Sequence, residues 1–215
     1  MDEKLTKSGE KAFLAPISWI IITGLVFFLA SGEINNLRVW IYIGIYAVGG
    51  LIIGILLKKK SPKLLNDRGK MQEGTKQTDK YIILTYFFFA IIITPLIAGI
   101  DKRFNLSDII PFYYLYLGIV LYIISAIFST WPMLHNPFFE DTMRIQKEKN
   151  HNVINTGPYK IVRHPGYLGM LLGSIALPLA LGSVLAFIPL VIMIFLILIR
   201  TYYEDTTLQK ELTGY

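Results

Sequence analysis

Long apolar segments alternate with short polar ones along this chain. Four of the segments are each about as long as the roughly 20 residues that a helix needs to cross a bilayer. They are Phe13–Ser31, Val39–Leu57, Tyr81–Ile100 and Pro111–Leu134. Each predicts one membrane-spanning helix. Because none of them contains Asp, Glu, Lys, Arg or His, they lack the groups that form ion paths and proton relays. We therefore expect the functional groups at the membrane surface.

A fifth apolar run extends from Gly166 to Ile199. It is too long for one crossing and short for two. Leu181-Gly-Ser183 interrupts it near its middle, where a turn is favoured. We predict a tight helical hairpin here, with one long kinked helix as the alternative. The predicted fold class is an all-α integral membrane protein with about six transmembrane helices in one structural domain.

The composition agrees with a membrane protein. Hydrophobic residues make up 53% of the 215-residue chain, and the mean hydropathy is +0.51. Cysteine is absent, which excludes disulfides and Cys-ligated metal sites. The net charge is +6, but the basic residues fall in the loops between spans, so the charge does not indicate a nucleic-acid partner.

Lysine and arginine are concentrated in alternate loops. Residues 58–80 carry eight of them and residues 135–165 carry five. Arg38, Lys102 and Arg103 alone fall on the opposite side. Cytoplasmic loops of membrane proteins are enriched in Lys and Arg, so we expect both termini and both long loops in the cytoplasm. The 58–80 segment reads as a solvated linker that contacts anionic lipids.

The loop at 135–165 is long for a connection between spans. Four apolar side chains in its first part are spaced so that they could dip into the membrane interface: Phe138, Phe139, Met143 and Ile145. This pattern predicts an interfacial helix over 138–149, and a helix that serves only in packing is the alternative. His151 to Tyr159 follows as a short β-like run with a Gly-Pro turn.

Polar and aromatic side chains crowd into the segment from Gly157 to Tyr167, where the hairpin begins. His164-Pro165-Gly166 is typical of a helix start, since Pro is favoured in the first helical turn. The free N–H groups of such a start favour an anion, and Arg163 adds a forked donor.

Arg200 and Glu204 lie four residues apart at the end of the last apolar segment, hence on one face of a helix. The predicted hairpin would bring them level with His164. Charges that snorkel at a helix end are the alternative. His135, His151 and His164 have no spacing that suits a metal site, so no metal is predicted.

These motifs resemble a known family. They are His151-x-Val-Ile-x-x-Gly157-Pro-Tyr159, Arg163-His164-Pro165-x-Tyr167-x-Gly169 and Arg200-x-x-x-Glu204-Asp205-x-x-Leu208. The combination resembles the isoprenylcysteine carboxyl methyltransferase family over residues 135–215. Membrane phospholipid methyltransferases share part of it, and sterol reductases carry something similar to Arg-His-Pro-x-Tyr. Glu204-Asp205, where the family often has two Glu, and the end of the pattern at Gly214-Tyr215 depart from the family.

The resemblance implies an S-adenosylmethionine-dependent methyltransferase with a cytoplasmic cofactor pocket. Residues 1–134 would form four N-terminal spans, and residues 135–215 would form the catalytic region. Arg200 would face the methyl acceptor and act with Glu204 in catalysis. The cofactor-binding residues implied are Gln146, His151, Val153, Ile154, Gly157, Tyr159, Arg163, His164, Pro165, Tyr167 and Glu204.

The acceptor implied is lipophilic and enters from the bilayer, and the first choice is a carboxylate such as that of an isoprenylcysteine. A carboxylate is already ionised and needs no general base. A phospholipid amine or a thiol is an alternative acceptor. The alternatives to a methyltransferase are a membrane reductase that uses NADPH on a sterol or isoprenoid, and a non-catalytic membrane protein.

Overall fold

The computed structural model describes residues 4–69, 77–108, 110–140, 145–146 and 151–215, and these residues are helices joined by turns and loops, without strands. The helices are α1 (Lys7–Ser31), α2 (Leu37–Lys60), α3 (Pro62–Arg68), α4 (Gln77–Phe88), α5 (Thr94–Phe104), α6 (Tyr114–His135), α7 (Pro165–Leu181) and α8 (Phe187–Glu211). A π-helical turn, Phe89–Ile93, joins α4 to α5, and a 3₁₀ turn covers Gly157–Lys160.

Five helical stretches in the described residues are long and apolar enough to cross a membrane. They are α1, α2, the continuous stretch Gln77–Phe104, α6 and α8. The prediction of an all-helical integral membrane protein is confirmed at this level. Helix α7 is apolar but shorter, at 17 residues. It ends at Gly182, whose φ of 80° lies in the left-handed region that glycine adopts without strain.

Two ends of the helix bundle can be told apart by their contacts. At one end, α8 contacts α4 through Arg200 and Asp79, and His164 approaches Asp205. We call this the His164 end. At the other end, Lys102 pairs with Glu33, and Arg38 reaches the last turn of α7. We call this the Arg38 end.

Arg38 fixes the end of α7. Its guanidinium is buried and donates to the carbonyls of Leu179 at 2.7 Å, Ala180 at 3.2 Å and Ile110 at 2.7 Å. The last carbonyls of a helix lack partners within that helix and carry the negative end of its dipole. One cation from α2 therefore satisfies the end of α7 and ties it to the segment before α6.

Helices α6 and α7 pack closely because small residues line their contact. The hydroxyl of Ser125 donates to the carbonyl of Gly169 at 2.7 Å. A Cβ on Gly169 would lie 2.3 Å from the Ser129 Oγ, a separation that real side chains do not reach. This close approach holds the first turns of α7 beside the last turns of α6, and so confines the loop that connects them.

The expectation of a solvated linker over residues 58–80 is wrong for the part that the structure describes. Helix α2 continues to Lys60, and α3 follows it directly. Leu65 and Asn66 of α3 are buried. The Asn66 Oδ1 accepts a hydrogen bond from the Thr6 backbone N–H at 2.9 Å. The leucine and the asparagine thus dock α3 on the start of α1, which a purely charge-based interpretation does not foresee.

The interfacial helix predicted over 138–149 is also wrong where it can be described. Phe138 to Glu140 and Ile145 to Gln146 are not helical, and residues 141–144 and 147–150 lie outside the described residues. The side chain of Asn136 accepts from the Phe138 backbone N–H at 2.8 Å, which favours a turn at this point. The β-like run predicted from His151 forms no strand, since no neighbouring described segment pairs with it.

Buried charges lie just beyond the predicted charge-free spans, because the helices extend past them. Arg38, Asp79, Asp101 and Arg200 are all buried near helix ends. Charged groups in such places are paired or hydrogen-bonded, because desolvation of an unpaired charge is costly. At the Arg38 end, Asp101 accepts from the hydroxyls of Ser107 and Ser183.

Candidate active site at the His164 end

A buried ion pair joins α8 to α4. The Arg200 Nε lies 2.7 Å from one carboxylate oxygen of Asp79, and an Nη lies 3.3 Å from the other. Asp79 is fully buried, and Arg200 is 7% exposed. Both charges are removed from water, and the ion pair compensates part of the cost of burying them. The pair therefore sets the position of Arg200 at the surface end of the membrane helices.

Tyr167 connects Arg200 to Glu204. Its hydroxyl donates to the Glu204 carboxylate across 37 residues of sequence. The guanidinium carbon of Arg200 lies 5.3 Å from the centre of the Tyr167 ring, within the range of a cation–π contact. Arg200 and Glu204 belong to α8, and Tyr167 belongs to the first turn of α7. This contact thus brings together the two polar clusters that the sequence places 33 or more residues apart.

His164 lies next to Tyr167 in a second group of polar contacts. Its Nε2 is 3.1 Å from the Asp205 carboxylate and 3.1 Å from the Tyr215 hydroxyl. Tyr215 also donates to Asp205 at 2.7 Å, and Arg163 approaches the same carboxylate at 3.5 Å. Burial, and then the hydrogen bond to Asp205, raise the pKa of Tyr215. The phenol therefore stays a donor at neutral pH.

Tyr159 lies beside the same cluster. Its hydroxyl accepts from the Asn136 side chain at 2.8 Å. Burial raises the pKa of Tyr159, the Asn136 hydrogen bond opposes that change, and the negative charge of Glu204 adds to it. The charge of Glu204 thus reaches both Tyr159 and Tyr167.

Gly157 is required by the fold of the loop. Its φ is +59°, and a Cβ at this position would lie 2.7 Å from the ring of His135. The His135 Nε2 is 2.7 Å from the Thr156 hydroxyl. These contacts dock the Gly-Pro-Tyr turn on the end of α6. The backbone conformation and the close contact with His135 therefore explain why the motif has glycine at this position. The glycine affects the site by placing Tyr159.

Gln146 and His151 form the other side of the loop. The Gln146 backbone N–H donates to the His151 Nδ1 at 3.4 Å, and the His151 N–H donates back to the Gln146 carbonyl at 3.3 Å. The Gln146 side chain is 1% exposed and donates to the Phe138 carbonyl at 2.7 Å. Its Oε1 is buried and has no hydrogen-bond partner. A buried acceptor without a donor is costly, so this oxygen is a candidate contact for a bound ligand.

Some of the predicted site residues meet in one cluster, and others lie apart from it. The structure brings Tyr159, Tyr167, Arg200 and Glu204 into one cluster, with His164 and Arg163 beside it. Asn136 links that cluster to Gln146 through Phe138. Pro165 is buried at the start of α7, as expected for a first helical position. Val153 and Ile154 are half-buried in the loop and make no polar contact with the cluster.

Three residues of the site were missed by the sequence interpretation: Asp79, Asn136 and Tyr215. Asp205 was part of a quoted motif but was given no role. A signal existed for Asp79, because a cation at a membrane-helix end that faces the bundle needs a buried anion, and Asp79 begins the third span. No pattern in the sequence indicates Asn136 as the partner of Tyr159.

A groove of about 550 Å³ lies between α3 and the end of α6. Its lining includes Lys63, Asp67, His135, Asn136 and Phe138. The groove adjoins the Gln146 side of the loop but does not include Tyr167, Arg200 or Glu204. In the described part of the chain, no group of three or more His, Asp or Glu is placed to hold a metal ion.

The fold and the cluster define the class of protein. It is a multi-pass integral membrane protein with a cluster of polar and aromatic side chains at the His164 end of its helices. Residues 117–210 match the family described as the isoprenylcysteine carboxyl methyltransferase (ICMT) family. The match confirms the predicted resemblance and covers most of α6, the loop, α7 and nearly all of α8. No curated protein and no solved structure matches the chain.

Proposed function

We propose that this protein transfers the methyl group of S-adenosylmethionine to the carboxylate of a lipophilic acceptor, such as an isoprenylcysteine, at the cytoplasmic face of a membrane. The observation that carries the proposal is the contact of Tyr167 with both Arg200 and Glu204. It unites an anion-binding group and a cation-binding group at the surface end of two membrane helices. Methyl transfer from a cationic donor to an anionic acceptor needs that combination.

The cofactor is expected to bind between the loop and the helix ends. Bound S-adenosylmethionine supplies an electrophilic methyl group on a positively charged sulfur. The unpartnered Gln146 oxygen and the Glu204 carboxylate are acceptors suited to its amine and ribose hydroxyls. Arg163 and the N-terminus of α7 are suited to its carboxylate. We assign His151, Gly157, Tyr159 and His164 to the same pocket as groups that shape it.

Arg200 is proposed to hold the acceptor carboxylate. An acceptor must lie in line with the methyl group and be poorly hydrated, and the buried position of Arg200 favours dehydration. Because a carboxylate acceptor is ionised at neutral pH, the protein needs no base to remove a proton from it. Residues 135–215 then form the catalytic region, with Asp79 contributed by the preceding spans.

The membrane geometry is part of the proposal. Helix α7, with 17 residues, is about 25 Å long at 1.5 Å per residue. That length allows α7 to cross the membrane if the turn to α8 lies near the membrane surface. We propose that α7 and α8 form a helical hairpin, so that α7 adds a sixth crossing to the five long apolar helices. The excess of Lys and Arg in alternate loops supports a cytoplasmic His164 end and cytoplasmic termini. Prenylated acceptors would then enter sideways from the bilayer.

Calorimetry with S-adenosylhomocysteine on the purified full chain tests the cofactor assignment. Binding in the micromolar range is expected. The Arg200→Gln variant should retain binding within about threefold while transfer to N-acetyl-S-farnesylcysteine falls at least about tenfold. Absence of binding to the folded wild-type protein would overturn the proposal. Unchanged transfer by Arg200→Gln would overturn the role of Arg200 alone.

One observation favours a second acceptor class, an amine or a thiol. The charge of Arg200 is already balanced by Asp79, and His164, held by Asp205, could take up the proton that a neutral acceptor must lose. The two classes differ in product. A methyl ester releases methanol in mild base, whereas a methylated amine or thioether does not. Labelled transfer to a prenylcysteine, a phosphatidylethanolamine and a prenyl thiol therefore decides between them.

A further inference from the structure

Arg200 and Glu204 do not pair with each other, although their spacing favours it. Opposite charges four residues apart on a helix ordinarily attract one another. In this structure the Arg200 fork is instead directed to Asp79, at 2.7 and 3.3 Å. The Glu204 carboxylate accepts from Tyr167. Among the described residues, the two charged groups of the proposed site thus have different hydrogen-bond partners, although both contact Tyr167.

Asp79 is the residue that maintains this separation. It lies in the first turn of α4, outside the family match at 117–210, and it is fully buried against α8. Glu204 is the carboxylate on the same helix face as Arg200, four residues away. If the charge of Asp79 is removed, we expect Arg200 to turn toward Glu204 and to draw it from Tyr167.

We infer that Asp79 is a positioning residue of the active site, which holds the acceptor-binding Arg200 away from the cofactor-binding Glu204. The inference rests on the proposed function, because it assigns those two roles to Arg200 and Glu204. It adds a residue from the N-terminal spans to a site otherwise built from residues 135–215. It also gives the buried ion pair a purpose, since a buried pair by itself is weak support for stability.

The experiment compares Asp79→Asn, the double variant Asp79→Asn/Arg200→Gln, and Asp79→Glu in the full chain. Each is titrated with S-adenosylhomocysteine by calorimetry. Asp79→Asn is expected to bind at least about tenfold more weakly than wild type, because Arg200 captures Glu204. The double variant has no guanidinium to capture Glu204 and should bind within about threefold of wild type, although it transfers no methyl group at an appreciable rate. Asp79→Glu keeps the charge and should also bind within about threefold.

The recovery of binding in the double variant is the decisive readout, because a merely structural role of Asp79 would not produce it. Asp101→Asn is the matched control, since Asp101 is the other buried aspartate of the same span and lies at the Arg38 end. It removes a buried charge and should leave binding unchanged.

Wild-type affinity in Asp79→Asn, or weak binding in the double variant, overturns the inference and leaves the proposed function standing. No binding by folded wild-type protein overturns both. If Asp79→Asn does not fold, the double variant and Asp79→Glu still decide, since weak binding in either contradicts the inference.

Discussion

Tyr167 and Glu204 share a hydrogen bond between the first turn of α7 and the last turns of α8. The same tyrosine ring lies against the guanidinium of Arg200. One side chain therefore aligns a carboxylate and a cation that belong to another helix. The relationship explains how the two polar motifs, separated by an entire apolar run, come into contact at one place.

Tyr167→Phe tests that alignment with little change of packing. The ring and its contact with Arg200 remain, but Glu204 loses a donor. Hydrogen bonds to charged groups contribute about 1.5–3 kcal/mol, so S-adenosylhomocysteine should bind about tenfold more weakly or worse. Calorimetry measures the change, and thermal unfolding checks that the fold is retained. Tyr116→Phe removes a hydroxyl from an exposed tyrosine of α6 and is the control. An unchanged affinity in Tyr167→Phe would contradict the proposed role of the hydrogen bond.

Arg38→Met should destabilise the fold without touching the site. The substitution keeps much of the side-chain volume but leaves the carbonyls of Leu179, Ala180 and Ile110 without their buried donor. A loss of about 3 kcal/mol or more is expected, since each unsatisfied buried group costs about 1–3 kcal/mol. Thermal unfolding in detergent measures it. Arg103→Met at the same end removes an exposed cation and should change stability little. Equal effects of the two substitutions would refute the account of Arg38.

Gly157→Ala should disturb the loop through both strain and contact. The residue has a left-handed φ, and the new Cβ would meet the His135 ring. Strained backbone of this kind costs about 1–3 kcal/mol, and the shift of the turn should also displace Tyr159 and weaken S-adenosylhomocysteine binding. Gly214→Ala is the matched control, because Gly214 has a φ of +86° and open space around it. Should both variants behave alike, the contact with His135 has no consequence for the site.

Gln146→Leu should lower cofactor affinity more than stability. The change removes the buried oxygen that has no partner, at the cost of one hydrogen bond to the Phe138 carbonyl. If the oxygen contacts the cofactor, S-adenosylhomocysteine binding should weaken about tenfold, whereas the unfolding free energy should change by about 1 kcal/mol. Unaltered binding would exclude Gln146 from the pocket.

The length of the apolar segments was sufficient for the helical class and for the approximate positions of the membrane-spanning helices. Segments such as Val39–Leu57 have few options in lipid, where backbone groups must bond within the helix. Most of the predicted bounds fell short of the helix ends, because the helices continue through polar residues, whereas α6 begins three residues inside its predicted start at Pro111. Helix α2 therefore extends to Lys60 and includes Arg38. The helix ends beyond the predicted bounds carry the buried charges that connect the helices at the His164 end and at the Arg38 end.

The candidate site was predictable in its motif residues and not in their partners. The spacing of Arg200 and Glu204 predicted a shared face, but not that each would bond to a residue elsewhere in the sequence. Asp79 meets Arg200, and Asn136 meets Tyr159, only because of how the helices pack. The local pattern of a sequence does not show which distant residues will be in contact. A helix was predicted over 138–149 from its amphipathic spacing, and at its described start the Asn136 turn overrides that preference.

The transfer of a labelled methyl group tests the central claim most directly. The purified full chain is reconstituted in vesicles with tritiated S-adenosylmethionine and N-acetyl-S-farnesylcysteine. We expect a lipid-extractable product that releases labelled methanol in mild base, and its formation should fall at least about tenfold in Arg200→Gln. A wild-type protein that folds but transfers no label to the prenylcysteine, phosphatidylethanolamine or prenyl thiol, and binds no S-adenosylhomocysteine, would contradict it.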